Sequence, residues 1–278
     1  MRVGSPEQNL PQFTLIIPVR RPPPQFREHL REIWVFLAEQ GLLPFEIVLI
    51  PNSAPDDSTD PASDWCAELA AELQSVRSVP HAGQPGKGAA LKTGVREARG
   101  RYVLFTDADL PYSLKFFVEA AALLRAGAAL VVGNRRREES WFEVPVPLLP
   151  YVYSRHRMGL MFNRIVRLLL PIPFTDTQAG IKAMTRELAQ VTFSRNICPG
   201  FFFDLELFLT AHGLGMPIVD VPVHFTQHDE ATTVRFVRSA LNALYWLARI
   251  KLRHLRGYYR WHPVQGGSPG AQAALRTH

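Results

Sequence analysis

Short apolar runs alternating with segments of helical period constrain this chain more than any other feature. Phe13 to Val19 and Phe45 to Ile50 read as buried strands, each closed by turn-forming residues, and further strands are expected near Ser75 to Val79 and over Tyr102 to Thr106. Between them the period predicts helices over Gln25 to Glu39, Pro61 to Gln74 and Gly88 to Ala98. Such alternation gives an α/β fold with a mostly parallel central sheet and helices on both faces. Ligands then bind beyond the carboxyl ends of the strands, where Pro18, Asn52 and Asp107 fall.

The second half continues with a helix over Leu114 to Ala126, a strand over Ala129 to Gly133 and the cluster Arg135, Arg136, Arg137. A Pro-rich segment, Glu143 to Pro150, reads as a mobile loop. Helices are expected over Met158 to Leu170 and Leu205 to His212, a strand over Ile218 to Phe225, and a long basic amphipathic helix over Arg235 to Arg256. The expected organisation is a flexible N-terminus (1–12), one catalytic domain (13–231), a basic helical region (232–262) and a disordered tail (263–278) rich in Gly, Pro, Ala and Gln.

The 278 residues, 47% hydrophobic, suffice for one large core. The net charge of +6 is an arginine excess that suits a phosphate-rich ligand or an anionic membrane surface. No nucleic-acid-binding module accompanies it. Cys66 and Cys198 follow no metal-ligand spacing and read as reduced thiols. Met1 to Gln12 contains no apolar signal-like core, and no run reaches the roughly 18 apolar residues of a spanning helix, so a cytoplasmic chain with peripheral membrane contact is expected.

Asp107 and Asp109 close the strand Tyr102 to Thr106. On a strand continuing straight, residues i and i+2 share a face, so both carboxylates would meet one hard cation, Mg²⁺ or Mn²⁺, completed by substrate phosphates. Alone, the pair equally describes an exposed turn before Pro111. Upstream, His81 to Ala90 opens a helix with glycines and Lys87, where backbone can approach a phosphate closely. It is not a P-loop, because Gly88 stands where Ser or Thr should follow Gly-Lys.

Taken together, Gly86-Lys87-Gly88-x-Ala90, Gly94, Ala98-Arg99-Gly100 and Leu104-Phe105-x-Asp107-Ala108-Asp109-Leu110 resemble the central signature of family-2 glycosyltransferases of GT-A fold. More narrowly the chain resembles the branch holding dolichyl-phosphate β-glucosyltransferase and bacterial polyprenyl-phosphate relatives. Val132-Gly133-Asn134-Arg135 resembles that branch's Gly-Ser-Arg, and Asp176-Thr177-Gln178-Ala179-Gly180-Ile181-Lys182 its Asp-Thr-Gln-Cys-Gly-Phe-Lys. Phe203-Asp204-Leu205-Glu206-Leu207 and Ile218 to Val223 follow in order, and the resemblance covers roughly residues 13 to 255.

The resemblance implies that Asp107, Ala108 and Asp109 bind the metal and diphosphate of a nucleotide sugar, UDP-glucose in preference to GDP-mannose. Gly86, Lys87 and Arg135 would face the diphosphate or an acceptor phosphate, and Pro18, Val19, Arg20, Asn52 and Ser53 the nucleoside. Asp176 and Gln178 would border the sugar and acceptor. Asp204, at a helix start, reads as an N-cap, a functional group, or both, and Asp176 and Asp204 are the candidate general bases. Arg136 and Arg137 read as solvated charge. One departure stands out: Pro51-Asn52 replaces the Asp pair usual after the second strand, and Asn52 cannot act as a carboxylate.

The expected activity is inverting, metal-dependent transfer of a hexose to a polyprenyl phosphate at the cytoplasmic face of a membrane, the helix from Arg235 lying in the headgroup region or on a membrane-protein partner. A soluble or protein acceptor is the alternative within enzymology. A catalytically silent nucleotide-binding scaffold, motivated by Pro51-Asn52, is the alternative outside it.

Overall fold

The computed structural model describes residues 10–227 and 236–260. The strands are β1 (Phe13–Val19), β2 (Phe45–Pro51), β3 (Val76–Ser78), β4 (Tyr102–Phe105), β5 (Leu130–Asn134), β6 (Trp141–Glu143), β7 (Lys182–Thr185), β8 (Ile218–Pro222) and β9 (His224–Thr226). The helices are α1 (Phe26–Glu39), α2 (Ala62–Glu72), α3 (Lys87–Glu97), α4 (Lys115–Arg125), α5 (Leu149–Leu169), α6 (Arg186–Arg195), α7 (Phe203–Gly213) and α8 (Phe236–Leu255).

Seven strands form one sheet in the order β3-β2-β1-β4-β7-β5-β8, parallel except for β7, which runs antiparallel to both neighbours. The connections leave β1 in opposite directions, toward β2 and β3 on one side and β4 on the other. That makes the β1/β4 boundary the switch point where ligands bind in open α/β sheets. Period-2 alternation divides the buried side chains between the two faces. Phe13, Leu15, Ile17 and Val19 pack under α1, α2 and α4, while Ile16, Val48, Ile50, Val103 and Phe105 pack under α3, α6 and α7. The burial of both faces explains the near-continuous apolar runs in the sequence.

Close approach of α3 to the sheet depends on Gly94, whose missing side chain leaves room for Ile16. At the amino end of β1 and β2, buried Glu46 accepts hydrogen bonds from the Thr14 hydroxyl and the Arg99 N–H, each 2.7 Å, and pairs with Arg77 at 2.9 Å. Two acceptor oxygens thereby satisfy the sheet edge and the turn after α3.

Several sequence expectations need correction. The segment expected to be a loop, Glu143 to Pro150, forms a 3₁₀ turn at Val146–Leu148, and α5 begins at Leu149 rather than Met158. Pro150 sits in the first turn of α5, where a missing N–H breaks no helical bond. The strand expected over Ile218 to Phe225 is two, β8 in the main sheet and β9 paired with β6. β6, β7 and α6 lie outside the sequence expectations, although the Thr185 hydroxyl caps α6 by accepting from the Leu188 N–H, a signal visible in Thr185-Arg186-Glu187. The flexible N-terminus and the disordered tail fall largely on residues 1–9 and 261–278, outside the described residues.

Gly94→Ala is expected to lose about 1–3 kcal/mol in urea denaturation, because an added Cβ overlaps Ile16 in a packed interface.

Candidate active site

The carboxyl edge of the parallel strands gathers most of the residues singled out above. β4 ends at Phe105, so Asp107 and Asp109 stand on a turn and not on a continuing strand; the Leu110 N–H closes it on the Asp107 carbonyl at 3.2 Å, and Leu110 takes a left-handed φ of +46°. The expectation of a shared strand face is thus replaced by a turn that presents both carboxylates at the edge. Asp109 is exposed, and Asp107 is about one-third exposed.

Beneath this turn lies an alternating array of charge. Lys87, the first residue of α3, pairs with Asp107 at 2.5 Å, and Lys182, fully buried at the start of β7, pairs with Asp204 at 2.9 Å. The two ammonium groups lie 5.8 and 5.7 Å from the centroid of the Phe105 ring. Burial pulls the Lys87 pKa down, but Asp107 and Asp204 outweigh it and the net shift is upward. Burial moves Lys182 down and Asp204 up, each shift opposed by the partner's charge. The N-cap reading of Asp204 does not hold: α7 begins at Phe203, its cap position is Phe202, and Asp204 is the counterion of a buried lysine. The motif alone assigns Lys182 no role; a lone Lys among Ile181, Ala183 and Met184 is the signal that sets it apart.

Three glycines let the surrounding loops meet. A Cβ at Gly180 would overlap the Asp107 carboxylate, and the Gly180 N–H donates to the Tyr112 hydroxyl at 2.9 Å. A Cβ at Gly86 would overlap the Pro199 carbonyl, and one at Gly88 would lie 2.6 Å from the Cys198 carbonyl. The Gly88 and Ala89 N–H groups donate to the Gly200 and Pro199 carbonyls at 3.2 and 3.0 Å. Asn52 is buried and its side-chain oxygen accepts the Gly86 N–H at 3.0 Å. The Asp-to-Asn departure therefore keeps the acceptor that holds the lysine loop. Ser53 donates to Asp60 at 2.8 Å, and Arg20 is exposed. Val19 is buried in the core with its carbonyl bonded to the Asn52 N–H, and Pro18 is half-buried beside it, so neither offers a polar side chain to a nucleoside.

Asp176, almost wholly buried, forms a two-pronged pair with Arg135 at 2.7 and 3.0 Å and accepts the Arg135 and Gln178 N–H groups at 3.1 Å. Burial would raise the Asp176 carboxyl, but the Arg135 guanidinium and these N–H groups overcome it and hold it well below the carboxylate range. Asn134, in the position of the branch's serine, binds Asp220, the Thr175 hydroxyl and the Arg136 N–H. Arg136, expected to be solvated, is half-buried and donates to the Thr175 carbonyl. Burial pulls its pKa down; Asp176 opposes this, while Arg135 and Arg167 add to it. Arg137 lies 3.7 Å from Asp220 and 3.6 Å from Glu139. Buried and without a hydrogen bond in the structure are the Gln178 side-chain amide nitrogen and the Thr106 and Thr177 hydroxyls, polar groups that a ligand would satisfy.

The residues fit a divalent cation. Two carboxylates on one turn are an oxygen donor set, both reach solvent, and among the described residues no cluster of three or more His, Cys, Asp or Glu side chains could hold the ion unaided. Substrate phosphates would complete the coordination, the usual arrangement for Mg²⁺.

Asp176→Asn is expected to destabilise the protein by about 2–3 kcal/mol at neutral pH, less than a fully buried pair because Arg135 remains 29% exposed. A carboxyl with a depressed folded pKa adds stability that is complete above its unfolded value and is lost as pH falls through the folded one. The difference between the melting curves of the two proteins should therefore begin to shrink below about pH 4 and go on shrinking as the pH falls toward the depressed folded value. Gly180→Ala is expected to displace Asp107 and weaken Mn²⁺ binding by at least about tenfold in calorimetry, in line with the loss of a correctly oriented ligand.

The family model described as "Glycosyl transferase family 2" matches residues 14–192. Dolichyl-phosphate beta-glucosyltransferase of Mus musculus is 28% identical over 225 residues, 78% of this chain and 66% of that protein. The Drosophila melanogaster enzyme of the same name is 25% identical over 91% of this chain and 78% of its own length. The chain thus spans about two thirds of the length of the mammalian relatives it matches. Among solved structures, glucosyl-3-phosphoglycerate synthase from Mycobacterium tuberculosis in complex with Mn²⁺ and UDP-glucose aligns with a TM-score of 0.60 at 17% identity, over 87% of this chain and 80% of that one. The edge-of-sheet carboxylates, the lysine loop and the matched family model together identify this chain as a member of glycosyl transferase family 2, with the GT-A fold.

Proposed function

We propose that the protein transfers glucose from UDP-glucose, with a divalent cation, to a polyprenyl phosphate at a membrane surface. The observation that carries this reading is the fate of the two candidate bases: Asp176 is locked to Arg135 and Asp204 to Lys182. A sugar hydroxyl acceptor needs a base to remove its proton, whereas a phosphate oxygen is already anionic and needs positioning. The half-buried Arg136, flanked by Arg135 and Arg167, supplies positive charge short of counterions and suits a phosphate. The names of the relatives support the acceptor class, and the Mn²⁺ and UDP-glucose bound to the M. tuberculosis enzyme support the donor.

In this reading Lys87 and Arg135 bind the donor phosphates, and Gln178 and Thr177 orient the sugar through their free polar groups. A cation at Asp107 and Asp109 would neutralise charge on the departing nucleoside diphosphate. The relatives' β-configured products and the α-linkage of UDP-glucose support inversion by one in-line displacement. Among the described residues no helix is long and apolar enough to cross a membrane. Contact with lipid would instead use α8, which exposes Leu244, Tyr245, Leu252 and Leu255 beside Arg249 and Arg256, and the neighbouring end of α5, whose Leu168 is 84% exposed. Lys251 ties the two helices by donating to the Leu169 carbonyl at 2.5 Å. Peripheral docking on the cytoplasmic face is the proposed location.

The test is an assay with UDP-glucose, Mn²⁺ and either a short polyprenyl phosphate or 3-phosphoglycerate. A β-glucosyl lipid phosphate, detected by NMR and abolished by Asp107→Asn, is expected; product only with the soluble acceptor refutes the lipid reading. UDP binding without transfer to either would favour the scaffold. Leu244→Asp with Leu252→Asp is expected to lower sedimentation with anionic vesicles by at least about tenfold while leaving thermal stability near that of the wild type, because both side chains are exposed.

A further inference from the structure

Behind the lysine loop, a further buried carboxylate plays no part in the chemistry above. Glu206, on α7, is fully buried. One of its oxygens accepts the Tyr259 hydroxyl at 2.8 Å, and the other accepts the Ile197 and Cys198 N–H groups at 3.1 and 3.0 Å. The 197–200 segment that it fixes is the one whose Pro199 and Gly200 carbonyls receive the Ala89 and Gly88 N–H groups, and against which Gly86 and Gly88 pack with no room for a side chain. On the far side, Tyr259 belongs to the turn that ends α8, and its carbonyl lies so close to Gly213 that a Cβ there would overlap it. Arg253 of α8 stacks on Tyr258 at 4.2 Å and donates to the Arg195 carbonyl at 2.9 Å, at the start of the same loop.

We infer that Glu206 and Tyr259 are positioning residues that couple the seating of α8 to the geometry of the Gly86–Gly88 loop, so that the C-terminal helix sets the protein's affinity for a nucleoside diphosphate. The path is continuous: the α8 turn, Tyr259, Glu206, the 197–200 carbonyls, the Gly88 and Ala89 N–H groups, and Lys87 with its partner Asp107. The links are hydrogen bonds, an ion pair and short covalent steps, and the contacts at Gly86 and Gly88 leave no slack. Coupling of this kind is reciprocal, so nucleotide binding must tighten the α8 turn to the same degree. The inference rests on the reading that the Gly86–Gly88 loop faces the donor diphosphate.

The experiment combines calorimetry of UDP with Mn²⁺ and amide hydrogen exchange, well below the melting temperature, on the full chain. For the wild type, UDP with Mn²⁺ is expected to slow exchange at 197–200 and also at the Tyr258 and Arg260 amides, which bond to Arg253 and Gly257. Tyr259→Phe is expected to raise the UDP Kd about fivefold, at the low end of couplings between sites, and to erase the protection at Tyr258 and Arg260. Gly213→Ala, which leaves both side chains in place but displaces the Tyr259 carbonyl, is expected to do the same. A purely structural role would lower the melting temperature of both variants and leave the Kd unchanged, and that result overturns the inference. So does an absence of protection at Tyr258 and Arg260 in a wild type that binds UDP. Failure of the wild type to bind UDP at all would instead refute the donor-site reading, and the inference with it.

Discussion

A lysine ammonium buried at the carboxyl edge of the sheet is the constraint around which this site is organised. Lys182 sits where antiparallel β7 crosses between β4 and β5, beside the Phe105 ring and with no exposure to solvent. A charge removed from water so completely requires a counterion, and Asp204 supplies it from the first turn of α7. That pairing fixes α7 against the sheet and brings Asp204 close enough to act on Lys87, whose own partner is Asp107. The exposed end of the array is thus a carboxylate whose position is determined by charges packed beneath it.

The loops that frame this array come from distant parts of the chain, and they meet because their contact points lack side chains. Gly180 admits Asp107, Gly86 and Gly88 admit the 197–200 segment, and Gly133 lets β5 lie against Ile181 and Val223. Asn52 shows how such a framework tolerates change. Its oxygen holds the Gly86 N–H, a task for which any acceptor of that shape serves, while the charge of the usual Asp pair is absent. Negative charge is lost at the end of β2, while an acceptor for the Gly86 N–H is present.

Charge is distributed unevenly across the site. Around the Phe105 ring each ammonium has a carboxylate within 3 Å, namely Lys87 with Asp107 and Lys182 with Asp204. Elsewhere Arg135 saturates Asp176, leaving Arg136 desolvated beside Arg167. A bound anion would restore the balance there.

Much of this was legible in the amino-acid sequence, for identifiable reasons. Buried strands of a parallel sheet are apolar along their whole length, so β1, β2, β4 and β5 stand out, and the helices between them carry a strong period. The carboxylate pair, the glycine–lysine loop and the Asp176 to Lys182 motif are local strings whose chemistry is visible in their composition. β7 was not legible: four residues beginning with a lysine carry neither length nor pattern, and their strand conformation exists only because β4 and β5 flank them. Nor was the role of Asp204, since a carboxylate near a helix start is a cap by local rules and became a counterion only when Lys182 was folded beneath it. The sequence by itself determined the sheet, its covering helices and the chemical identity of the site's groups, because these follow from short-range periodicity and residue type. Tertiary structure alone decided which charges pair, which loops touch and which bases are locked, because those outcomes depend on burial and on contacts between residues far apart in the chain.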